Sequence, residues 1–116
     1  MVNKIVVEDI KKVLHDTEHL IDKRIEKILL FGSFARGEET VYSDIDIALV
    51  CKGSDRLERG SAYEFKDVVE EEIQKMHREV GWFSTNEHNL DTSKGVFNTN
   101  TRIKKEGILL WMRTVT

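Results

Sequence analysis

The sequence predicts an α/β or α+β domain built on one sheet of about four strands with flanking helices. Two observations carry that expectation. Short apolar, β-compatible runs alternate along the chain with longer stretches whose apolar residues recur every three or four positions. The chain also has no repeat, no low-complexity tract and no proline, so its breaks fall at Gly, Asn, Asp and Ser clusters.

The elements follow in order. Val6 to Leu20 reads as a helix, because Val6, Ile10, Val13 and Leu14 share a face while Glu8, Asp9, Lys11, Lys12 and Asp16 lie mostly opposite. Ile25 to Phe31 is apolar and stops at Gly32, as a strand would. Ser33 to Arg36 reads as a helical turn that Gly37 closes as a C-cap. Asp44 to Val50 alternates acid and isoleucine with period two and is the clearest strand. A polar loop from Lys52 to Gly60 leads into a long helix, Ser61 to Arg78. Glu79 to Thr85 is a third strand, Asn86 to Ser93 reads as irregular, Val96 to Glu106 as a short helix and Gly107 to Met112 as a fourth strand.

Composition narrows the function classes. The 116 residues suit one domain, 1–116, and the 40% apolar and 34% charged fractions describe an ordinary globular chain. With 18 Lys and Arg against 21 Asp and Glu, the net charge of −3 argues against broad binding of nucleic acid, which needs a basic face. No apolar run is long enough for a membrane-spanning helix, and Met1 to Glu8 has no signal-peptide core. The lone cysteine, Cys51, reads as a half-buried small hydrophobe, and a cytoplasmic location is expected. The four histidines show no ligand spacing, Trp82 and Trp111 read as core or interface, and Glu70, Glu71 and Glu72 as a solvated helix face.

Chemistry concentrates in Gly32-Ser33-Phe34-Ala35-Arg36-Gly37 and Ser43-Asp44-Ile45-Asp46. On a strand, Asp44 and Asp46 point to one face, where two carboxylates repel unless a cation lies between them. Oxygen ligands suit a hard ion such as Mg²⁺, which completes its shell with water and phosphate oxygens. The other reading is a solvated strand face, although Asp is a poor strand former. Gly32 lets backbone approach a ligand, and N–H groups at the start of a helical turn favour an anion. Ser33 either donates its hydroxyl to phosphate or caps the turn, and Arg36 either meets phosphate or forms a surface ion pair.

Taken together, Gly-Ser-x-Ala-Arg-Gly, five intervening residues and Ser-Asp-x-Asp resemble the signature of the polymerase-β-like nucleotidyltransferases. The match is closest to their minimal members, the MNT domains, which are often encoded beside a HEPN protein. Ile28 to Val50 carries it most strongly, and the closing stretch Ile103 to Trp111 is similar to the helix-then-strand that ends many such domains. The resemblance implies a small mixed sheet. It implies that Gly32 and Ser33 hold a nucleoside triphosphate, that Asp44 and Asp46 bind Mg²⁺, and that Arg36 and Ser43 support the loop or the phosphates. It further implies transfer of a nucleoside monophosphate, AMP from ATP, to a partner protein, with a HEPN-type toxin as the expected partner.

One position departs from the pattern. Family members usually carry a third acid in a Val-Asp-Leu-Val-like strand, and here the stretch reads Val80-Gly81-Trp82-Phe83. Glu79, two residues earlier, would share that face on a regular strand and is the candidate replacement, while Asp91 is a weaker one. Two functions therefore stand side by side: an enzyme acting on a partner protein, and a nucleotide-binding or partner-masking module with weak or lost chemistry. A stand-alone enzyme modifying a small molecule is disfavoured, because such enzymes usually carry a second domain to shape the acceptor pocket.

Overall fold

A computed structural model describes residues 4–58, 60 and 62–114, with the side chain of residue 5 undescribed. The elements run α1 (Lys4–Asp16), a 3-10 turn (Glu18–Leu20), β1 (Ile25–Phe31), α2 (Ser33–Arg36), β2 (Ile45–Cys51), α3 (Tyr63–Gln74), β3 (Val80–Asn86), α4 (Glu87–Thr92), α5 (Thr99–Glu106) and β4 (Ile108–Met112). The sheet is mixed, in the order β3-β2-β1-β4. β1 pairs antiparallel with both β2 and β4, and β2 pairs parallel with β3.

Period-two alternation along β1 and β2 feeds two cores, one on each face of the sheet. Ile28 and Leu30 of β1 and Ile45, Ile47 and Leu49 of β2 pack with Ile10 and Leu14 of α1 and Phe65, Val69 and Ile73 of α3. The alternate residues Leu29, Phe31, Ala48 and Val50 pack with Leu90 of α4 and Ile103 of α5. Both faces are therefore covered, which accounts for the near-continuous apolar run from Ile45 to Cys51.

Five sequence expectations need correction. The first helix ends at Asp16, where the Thr17 hydroxyl donates to the Val13 carbonyl at 2.8 Å and the chain tightens into the 3-10 turn. The long helix starts at Tyr63 and ends at Gln74, short of Arg78, and residue 61 lies outside the described residues. Asn86 to Ser93 is not irregular. The Asn86 side chain accepts the Asn89 N–H at 2.8 Å and caps α4. Asn98 likewise caps α5 by accepting the Asn100 N–H, so that helix begins at Thr99 and leaves Val96 and Phe97 in an exposed loop. Cys51, read as half-buried, is fully buried, and burial pushes its thiol pKa up.

Candidate functional site

The strand β1 ends at Phe31, and Gly32 turns the chain into α2 with φ +77° and ψ −158°. That left-handed φ favours glycine, and a second constraint coincides with it. A Cβ on Gly32 would lie 2.2 Å from Oδ2 of Asp46. Gly37 closes the turn in the left-handed region at φ +70°, its N–H donating to the Phe34 carbonyl, as the C-cap reading expects.

Asp46 stands opposite Phe31 on β1 and opposite Gly81 on β3. Its face is that of Ala48 and Val50, the face covered by α4 and α5. A Cβ on Gly81 would lie 2.5 Å from Asp46 Oδ1, so the carboxylate lies in a slot between two glycines. Asp44 sits one residue before β2 and is exposed, whereas Asp46 is half-buried. Burial first, and the Asp44 charge second, raise the Asp46 carboxyl above its usual range. Arg102 and Arg36 pull it down, and Glu106 adds a further upward push.

That like-charge pressure is what a bound cation would relieve. The pair offers oxygen atoms only, and the Asp46 carboxylate lies directly against the first glycine of the turn. Asp44 and Asp46 therefore fit a divalent cation that takes its remaining ligands from water and phosphate. Among the described residues no third His, Cys, Asp or Glu joins them in a group able to hold a metal by itself.

Glu79 is not brought to the pair. Among the described residues it does not join them in a group able to hold a metal, and it borders a cleft with Glu70 and Gln74 of α3. Its backbone serves the site instead, since the Glu79 carbonyl accepts the Ile45 N–H at 2.8 Å and anchors the start of β2. Asp91 is exposed on α4 and borders a separate cleft with Leu90 and Lys104. Ser43 holds its loop, its Oγ accepting the Thr40 N–H at 2.9 Å.

Two residues that sequence reasoning passed over complete the surroundings. Arg78 donates through Nη1 to the carbonyls of Thr40, at 2.7 Å, and Ser43, at 3.0 Å, while its guanidinium lies 5.1 Å from the centre of the Phe34 ring. It latches the Asp44 loop to α2. Glu106, the last residue of α5, accepts from Gly32 N–H at 3.2 Å and from Arg36 Nη1 at 3.0 Å. Arg36 also donates through Nε to Glu38 at 3.1 Å, and these acids raise its pKa, Glu38 first. A cleft of about 500 Å³ opens here, lined by Arg36, Val96, Thr101, Arg102, Lys105 and Glu106. A Lys-Glu-Gly stretch before a strand was the only sequence signal for Glu106, and its meaning depends on the strand register.

A glycine turn, an acid pair on the neighbouring strand and a mixed four-stranded sheet with helices on both faces define a nucleotidyltransferase-type fold. Residues 8–109 match the polymerase β nucleotidyltransferase family, and the chain belongs to it. One relative from Methanocaldococcus jannaschii, whose name is that of an inferred protein adenylyltransferase, is 32% identical over 47 residues, 40% of this chain and 48% of the relative. A second from the same organism, with the same kind of name, is 67% identical over 27 residues, 23% of this chain and 27% of the relative. The chain thus matches about half of the first relative's length and about a quarter of the second's.

Among solved structures, a toxin–antitoxin assembly with AMP-PNP is similar with a TM-score of 0.56 at 23% identity, covering 92% of this chain and 73% of that one. A Sulfolobus solfataricus protein described as an inferred nucleotidyltransferase gives 0.52 at 23% identity, covering 92% and 80%. The complex of a tri-AMPylated Shewanella oneidensis HEPN toxin with its MNT antitoxin gives 0.51 at 20% identity, covering 90% and 71%. These likenesses establish the shared fold. No helix among the described residues is long and apolar enough to cross a membrane.

Proposed function

We propose that the chain transfers AMP from ATP, with Mg²⁺, to a hydroxyl on a partner protein, and that the partner is a HEPN-type toxin which it neutralises as an antitoxin. The observation that carries this reading is the placement of the Asp46 carboxylate against Gly32, at the mouth of the turn that begins α2. Membership of the nucleotidyltransferase family and the likeness to toxin–antitoxin structures support it.

In this reading Gly32, Ser33 and Arg36 bind the triphosphate and Asp44 and Asp46 bind the cation. The cation, when bound, offsets charge developing on the phosphate oxygens. The acceptor oxygen forms a bond to the α-phosphorus, the bond from that phosphorus to the bridging oxygen breaks, pyrophosphate leaves, and the hydroxyl proton passes to water. Ser43 and Arg78 act by holding the loop that presents Asp44.

A second reading has its own observation. Gly81 faces Asp46 where family members usually carry a third acid, and a site with two carboxylates holds the catalytic metal less firmly. The chain would then bind nucleotide and mask its partner without turnover.

One experiment separates the two. The protein is incubated with α-labelled ATP, Mg²⁺ and a HEPN-type toxin from the same organism, as wild type and as Asp46→Asn. Label on the partner that the substitution abolishes supports transfer. Neutralisation of the partner that survives in folded Asp46→Asn, without label, overturns the enzyme in favour of masking. The site reading itself is checked by thermal shift with ATP, GTP, CTP and UTP, with and without Mg²⁺. A ligand at a hundred times its dissociation constant adds about 2.7 kcal/mol to apparent stability.

A further inference from the structure

We infer that Glu106 is a positioning residue of the candidate nucleotide site, holding the Gly32 turn and the Arg36 guanidinium in the geometry that receives the triphosphate. The inference rests on the nucleotidyltransferase reading above.

The chain places Glu106 by register. Leu30 on β1 stands opposite Ile108 on β4, so the antiparallel ladder, continued by two residues, brings Gly32 opposite Glu106. Among the described residues no backbone carbonyl accepts from Gly32 N–H at that point, since α5 has just ended, and a side-chain oxygen takes its place at 3.2 Å. Gly107 makes the junction possible. A Cβ there would lie 2.5 Å from the Ile103 carbonyl oxygen and 3.3 Å from Leu29, so only glycine lets α5 end this close to β1.

Both carboxylate oxygens then engage Arg36 Nη1, at 3.0 and 3.2 Å. The Glu106 side chain is only 19% exposed, which strengthens a charge-assisted contact relative to one in open water. Glu38 takes Arg36 Nε on the other side. Among the described residues no hydrogen bond or ion pair engages Arg36 Nη2, which leaves that donor for a phosphate. Gly32 meanwhile separates two carboxylates: Asp46 lies against its Cα hydrogens and Glu106 against its N–H. A guanidinium pinned by two acids, next to a pinned backbone turn, is preorganised to offer Nη2 to an anion.

The rival account is that Glu106 merely occupies the anion position and must be displaced, in which case its removal tightens binding. The test measures the affinity of Mg²⁺–ATP by titration calorimetry for wild type, Glu106→Ala, Glu106→Gln, Arg36→Ala and the Arg36→Ala/Glu106→Ala pair, with thermal unfolding of each. Positioning through Arg36 predicts binding weaker on the order of tenfold in Glu106→Ala. Glu106→Gln, which keeps an acceptor for Gly32 N–H and the shape of the residue, recovers part of that loss. In the Arg36→Ala background, removing Glu106 adds roughly twofold or less, because residues that act as a unit are not additive. Unchanged or tighter binding in Glu106→Ala and Glu106→Gln overturns the inference, as do losses that multiply in the double variant. Wild type that binds no nucleoside triphosphate overturns the nucleotidyltransferase reading itself, and the inference with it.

Discussion

Asp46 and Gly81 face each other across the parallel β2–β3 pair, and the Asp46 carboxylate fills the space where a side chain on residue 81 would begin. Restoring an acid at that position is therefore not a simple gain. Gly81→Ala forces Asp46 off its present position, at a cost of about 1–3 kcal/mol by analogy with overpacked sites. Gly81→Asp adds like charge to the same slot, so its midpoint of thermal unfolding falls below that of Gly81→Ala in chelator. Added Mg²⁺ raises it again, more than it raises wild type. Equal responses to Mg²⁺ in the two proteins would mean that residue 81 does not face the metal position.

Gly32→Ala meets two penalties at once, a left-handed φ and a 2.2 Å approach to Asp46 Oδ2. The expected loss is about 2–4 kcal/mol of stability, larger than for Gly81→Ala, whose backbone is not in the left-handed region. Denaturant titration of the two variants side by side checks the order.

Arg78 ties together the loop before β2 and the ring of Phe34. Arg78→Ala frees the Thr40 and Ser43 carbonyls to water, so amide exchange across residues 40–44 rises while exchange in the middle of β2 stays slow. Nucleotide affinity falls severalfold for an expected stability loss of only about 1 kcal/mol. Arg78→Lys does not restore it, because an ammonium lacks the planar fork.

Away from the site, Asp22 accepts from Arg24 through both carboxylate oxygens, and hydrogen bonding to that guanidinium lowers its pKa. A depressed carboxyl pKa gives stability that is present above the unfolded value, near pH 4, and is lost as pH falls through the folded value. The wild type is thus expected to exceed Asp22→Asn by about 1 kcal/mol at pH 6, with the gap closing below pH 4. Urea midpoints at a series of pH values measure it.

The strands and the site loop were legible because local signals and fold agreed. Gly32 ended an apolar run, Gly37 stopped the turn, and the acid–isoleucine alternation from Asp44 marked the face on which Asp46 sits. The capped helix α4 was missed because its six residues are too few to show a period, and its signal was the single Asn86 side chain. Glu79 was drawn toward the site by strand alternation, which carries no sign of the cleft beside α3 that it borders. Glu106 and Arg78 reach the site from residues 70 and 35 positions away along the chain, through register and a single guanidinium. Neither relation leaves a local pattern.

The bond between Gly32 and Glu106 joins positions 74 apart in the chain. The cleft beside it is lined by Arg36 of α2, by Val96 and by Thr101, Arg102, Lys105 and Glu106 of α5, and neither helix is a binding surface alone. A nucleotide seated there would act as a staple across most of the polypeptide. Its presence should slow exchange in β4 as much as in the loops it touches, and a chain with its last strand detached should have no affinity for it.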